Sequence, residues 1–167
     1  PLPLPPPLGT PNPLNPSLGS LLSQVGGFLS DYSNTADPEA LYVLWAGAND
    51  VSDFTAVAVA AQFVPGYPDT SSEYLIQSVT DFSVALTGLV NAGARNFLIP
   101  NIPNIGLTPE FLSNPGISAI ATEKTIAYND ALDTVLEGFV GIPDLDILRF
   151  DAFSLLEYPP TPKRSDS

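Results

Sequence analysis

Any chemistry in this chain has to be done without histidine or cysteine, because its 167 residues contain neither. The absence of His removes the commonest general base and the commonest metal ligand together. The absence of Cys excludes a disulfide scaffold and any thiolate metal site. What remains of interest are amides and carboxylates that follow short apolar runs: Gly47-Ala48-Asn49-Asp50, Pro100-Asn101-Ile102-Pro103, and Asp151. A carboxamide at a strand terminus can donate its NH2 to a developing oxyanion and carries no charge to be neutralised. Asn49 has the right context for this, and Gly47 would let the chain turn sharply and bring the amide into a cleft. The same four residues also read as a plain turn, since Asn and Asp bond their own backbone. The Pro-Asn-Ile-Pro context of Asn101 favours a rigid loop. Asp151 reads as the N-cap of a short helix, Asp50 as a residue that caps or braces its turn, and Asp144 and Asp146 as solvated groups on a strand edge.

Nucleophiles find no base. Ser30 and Ser52 have no partner, and without His a Ser-His-Asp arrangement cannot be completed inside this chain. A Ser-Lys pair would need Lys124, on a helical pattern, or Lys163, in the tail. There is no Gly-rich phosphate loop. The carboxylates show only ordinary scatter, so neither a metal site nor a cofactor is expected.

These residues must be positioned by secondary structure, and the pattern supplies it. Leu18, Leu21, Leu22, Val25, Phe28 and Leu29 recur at helical spacing, weakened by Gly26 and Gly27. Residues 40–46 (ALYVLWA) form a short apolar run ending at Gly47, as a strand buried on both faces would. Residues 51–70 are mixed and end in a loop at Pro65, Gly66 and Pro68. Ser71 or Ser72 can cap a helix carrying Leu75, Val79, Phe82, Leu86 and Leu89, with Gly93 placed as its C′ residue. A second strand at 96–99 stops at Pro100. A helix over 117–139 turns Ile120, Leu132, Leu136 and Phe139 inward, a third strand covers 145–150, and a helical turn follows at 152–157. Strands alternating with helices imply crossovers and a parallel sheet. In such sheets ligands sit beyond the carboxyl ends of the strands, where Asn49, Asp50, Asn101 and Asp151 all fall.

Residues 1–16 hold 8 of the 19 prolines and read as an extended linker or loop; residues 158–167 read as a disordered tail. That leaves one domain over 17–157. The net charge of -13 disfavours nucleic acid and anionic membrane surfaces as partners. No basic n-region precedes an apolar h-region, and the most apolar run, 54–64, falls short of the roughly 18 residues that span a bilayer. The chain opens on Pro1 and contains no Met, so its start reads as a cut.

Together, LYVLWAGANDV (41–51), GARNFLIPNIPNIGLTPE (93–110), YNDALDTVLEGF (128–139) and DILRFDAFSLL (146–156) resemble GDSL-type esterases and lipases of the SGNH hydrolase superfamily. The resemblance covers about residues 17–157. It implies a three-layer α/β/α sandwich around a parallel sheet, and hydrolysis of a small-molecule or lipid ester through a serine nucleophile, with no cofactor. Carried over residue by residue, it makes Asn49 the oxyanion-hole Asn, Gly47 the glycine of its motif, and Asp50 a bracing neighbour. The Gly-Asp-Ser block and the Asp-x-x-His block of the family are absent, so the expectation is a central portion of such an enzyme, incomplete at both ends and inactive alone. The family also makes export plausible. Loss of a central strand would expose a sheet edge beside Ala46 and invite self-association. The competing expectation is a non-catalytic binding or interaction module derived from a hydrolase core.

Overall fold

The computed structural model describes residues 19–157; the linker expected over 1–16 and the tail over 158–167 lie outside them. After helix α1 (Leu21–Asp31) the chain enters strand β1 (Leu41–Val43), then helices α2 (Ala48–Phe63) and α3 (Ser71–Ala92), and strand β2 (Asn96–Pro100). A 3-10 turn at Ile105–Leu107, the short α4 (Pro109–Leu112) and the long α5 (Pro115–Glu137) lead to strand β3 (Asp146–Phe150) and α6 (Ala152–Glu157).

The strands lie in the order β1-β2-β3 and all pair in parallel, as the alternation of patterns requires. The register puts Val43 beside Leu98 and Leu98 beside Leu148. β1 is shorter than its apolar run, although the Leu44 N–H still donates to the Leu98 carbonyl at 3.1 Å. Helix ends follow local chemistry. Ser20 accepts the Ser23 N–H at 3.2 Å at the start of α1. Gly93, at φ 114°, closes α3, where a Cβ would lie 2.9 Å from the Ala36 carbonyl oxygen. The start of α3 differs from expectation: Thr70 is its N-cap, and Asp69, not Ser71 or Ser72, accepts an orphan N–H, that of Ser71, at 3.0 Å.

The largest departure from the sequence reading is α2, where a mixed segment and loop were expected. Its buried positions, Val51, Phe54, Thr55, Val57 and Ala60, do recur at helical spacing. Alanines at 56, 58, 60 and 61 spread apolar character around the helix and blur the contrast by which a stripe is recognised. Those alanines are also the strongest helix formers available.

The core lies between the helices and one face of the sheet. Leu44, Phe97 and Ile99 are buried there, with Tyr42 and Ile147 packed against them. Phe28 of α1 meets the Tyr42 ring edge-on at 5.9 Å. On the helical side, Phe54, Phe82, Leu86, Tyr128 and Leu132 are fully buried. The opposite face carries Leu41, Val43, Trp45 and Leu148, each between 58% and 61% exposed, along with Phe150. β1 is therefore not buried on both faces, and its residues alternate. It is an edge strand, and right-handed crossovers between successive neighbours put the connecting helices on the same side. The parallel sheet with its crossover helices is the α/β architecture that the resemblance implies. Among the described residues no helix is long and apolar enough to cross a membrane.

Candidate active site

β1 ends into a sharp turn whose geometry only glycine fits. Gly47 is the N-cap of α2 at φ 118°, ψ -18°, and a Cβ there would lie 2.3 Å from the ring and hydroxyl of Tyr128. The Tyr128 hydroxyl donates to the Ala46 carbonyl at 3.1 Å. The Val51 N–H donates to the Gly47 carbonyl at 2.8 Å and closes the first turn of the helix. Asn49 and Asp50 therefore occupy that first turn, not an open reverse turn. Gly47 has no side chain with which to cap this helix, and the end of the helix carries the positive pole of its dipole.

Asn49 is exposed and makes no side-chain hydrogen bond among the described residues. Its carboxamide is thus available to a ligand, at the positive end of the helix. That combination can stabilise an oxyanion.

Asp50 shows surface to solvent as a residue, but its carboxyl end is crowded by neighbours. That burial raises its pKa above the ordinary carboxylate value, and the Asp81 charge adds to the shift. Its own backbone N–H and the Ser78 hydroxyl oppose the rise. Asp53, one helical turn on, is raised too, first by burial and then by the Asp50 charge. Burial holds the Tyr128 phenol neutral far above its usual range, reinforced by the Asp50 charge, while the Ser78 hydroxyl acts in the other direction. Groups from β1's end, α2, α3 and α5 thus meet behind the Asn49 turn.

The other two selected positions are bonded to each other. Asn101 Nδ2 donates to Asp151 Oδ1 at 3.0 Å, and Asn101 Oδ1 accepts the Phe153 N–H at 2.8 Å. Both ends of the Asn101 amide are committed to structure. Asp151 caps α6, accepting the Ser154 N–H at 3.2 Å, and these bonds lower its pKa, the Ser154 hydroxyl contributing most. Trp45 Nε1 donates to the Asn101 carbonyl at 3.2 Å, tying the ends of β1 and β2 together. Asp144 and Asp146 are exposed.

Ser30 lies exposed on α1 and Ser52 half-buried on α2. Lys124 pairs with Glu123 at 3.4 Å. It lines an open cleft of about 360 Å³ with Tyr67, Asp69 and Ile120, and no serine lines that cleft. The cleft meets α2 at Ala58, Ala61 and Gln62, well beyond the first turn, so it is not a pocket for a group held by Asn49.

Sequence reasoning gave no role to Tyr128 and Asn129. The signal was present: they precede Leu132 by four and three positions, so both share the inward face of α5. A polar residue on such a face must find partners.

This chain is similar to two characterised proteins. It is 32% identical over 104 residues to Lipase 1 of Photorhabdus luminescens, covering 62% of this chain and 15% of that protein. It is 32% identical over 138 residues to an acetylesterase of Thermothelomyces thermophilus, covering 76% of this chain and 41% of that protein. The chain thus spans less than half the length of either relative. The model of the GDSL-like lipase/acylhydrolases matches residues 10–151. With Gly47, Asn49 and Asp50 set at the carboxyl end of a parallel strand, the chain belongs to the GDSL-like lipase/acylhydrolase family.

Proposed function

We propose that this chain supplies the oxyanion-stabilising part of a carboxylic ester hydrolase, with Asn49 as the donor. The observation that carries the reading is the free Asn49 carboxamide in the first turn of α2, held at the carboxyl end of β1. In the reaction a serine alkoxide adds to the ester carbonyl, and charge moves to the carbonyl oxygen. An N–H already in place gains strength as that charge develops and so acts mainly on the transition state. Collapse of the tetrahedral intermediate expels the alcohol and leaves an acyl-serine, which water then hydrolyses. Gly47 sets the turn and Asp50 braces it.

With no His in its sequence, the chain alone has an oxyanion donor without a base. One such donor is worth about 10²–10³ in rate, far below what ester turnover needs. On a p-nitrophenyl ester the isolated chain should give neither turnover above background nor a stoichiometric burst of p-nitrophenol. A chimera in which this chain replaces the matching stretch of the T. thermophilus acetylesterase should turn over. A burst from the isolated chain would put the nucleophile within it and overturn this division of roles. The same reading includes association of isolated chains through the β1 edge and its exposed apolar face.

A further inference from the structure

We infer that Tyr128 is a positioning residue, which fixes the Gly47 turn and through it the Asn49 carboxamide. This rests on the role given to Asn49 above. Tyr128 reaches the turn from α5, 81 positions along the chain from Gly47, and touches it in two ways. Its hydroxyl donates to the Ala46 carbonyl at 3.1 Å, the last peptide oxygen before the turn. Its ring occupies the space where any Cβ on residue 47 would stand, 2.3 Å away. The phenol end of Tyr128 thus both bonds the turn and fills the space against it.

The ring does not give. Tyr128 is 1% exposed and is the largest fully buried side chain among the described residues. Its neighbours along the inward face of α5 are locked as well: Asn129 exchanges two hydrogen bonds with the Ile102 backbone, and Leu132 is fully buried. Asn49 itself has no side-chain bond to hold it. Its direction is therefore set by the backbone of residues 46–50, and Tyr128 is what fixes the first part of that backbone. An exposed donor without bonds of its own can still be preorganised when the peptide beneath it is clamped from behind.

Tyr128→Phe separates the two contacts, since it keeps the ring and removes the hydroxyl. Hydrogen exchange followed by mass spectrometry on the full chain, at submicromolar concentration, reads the result. The Val51 N–H, bonded to the Gly47 carbonyl, reports the turn; amides of β2 and β3 report global opening. The expected result is an increase of about tenfold at Val51 with little change in the sheet, the size of one lost hydrogen bond expressed locally. Tyr128→Leu, which also removes the ring, should raise it further. An unchanged Val51, or equal acceleration at every site, would reduce Tyr128 to a core residue and overturn the inference. A second readout uses the acetylesterase chimera. Tyr128→Phe should lower kcat several-fold with KM steady, and should have no further effect once Asn49 is Ala. Full additivity of the two substitutions would contradict an action through Asn49. These outcomes are separate from the role of Asn49, which is judged by Asn49→Ala alone.

Discussion

Asn129 and Ile102 are joined by a reciprocal pair of hydrogen bonds: the Ile102 N–H donates to Asn129 Oδ1 at 2.8 Å, and Asn129 Nδ2 donates to the Ile102 carbonyl at 2.9 Å. A side chain on α5 thus stands in for a neighbouring strand just beyond β2 and satisfies a buried backbone segment that has no ladder partner. This pins the Asn101–Pro103 loop, whose Asn101 holds Asp151 and receives Trp45. Asn129→Ala leaves both buried backbone groups unpaired and should cost about 2–4 kcal/mol. Urea denaturation with an unchanged m-value checks this. A loss under about 0.5 kcal/mol would show that the loop finds other partners.

Gly47→Ala should be more damaging than an ordinary turn substitution, because a strained φ and a collision with Tyr128 act together. A loss of about 3 kcal/mol or more is expected. In a Tyr128→Leu background part of the collision is gone, so the two losses should fall short of their sum by about 1 kcal/mol or more. Simple additivity in the urea-derived stabilities would mean that the ring is not the obstacle.

Asp50 and Asp151 should pull the pH dependence of stability in opposite directions. The Asp50 pKa is raised in the folded state, chiefly by burial, so its contribution is fully present below the ordinary carboxylate range and is lost as pH rises through the folded value. Asp50→Asn should therefore gain on the native chain as pH rises from about 3 to 7. The Asp151 pKa is lowered by its hydrogen bonds, so its contribution is present above that range and lost as pH falls through the folded value. Asp151→Asn should lose ground over the same rise. Thermal melts across that range read both slopes, and slopes of the same sign would refute the assignment.

The strands were legible because each is a short apolar run stopped by Gly, Pro or Asp, and the Gly93 stop of α3 was legible for the same reason. α2 was not, since its alanines mask the period that burial follows. The exposure of Leu41 and Val43 was hidden too: an apolar run does not say whether both of its faces find cover. At the site, Gly47 was legible as a sharp turn, and the structure sets it at φ 118°. The contact of Tyr128 with Gly47 could not be read, because the spacing of a helix face shows that a side chain turns inward but not what it meets.

The uncovered face of the sheet should make the isolated chain associate. Val43, Leu98 and Leu148 lie side by side across it, with β1 at the edge of the sheet among the described residues. Light scattering should detect dimers or larger species at micromolar concentration, and Val43→Lys should shift them toward monomer. A monodisperse monomer with a cooperative melt would contradict this.

The most direct measurement of the central claim is the effect of Asn49→Ala on ester hydrolysis by the acetylesterase chimera. A donor whose bond strengthens in the transition state should take kcat down by about 10²–10³ and move KM little. A variant that keeps full kcat, or one that only raises KM, would contradict the assignment of Asn49 to the oxyanion.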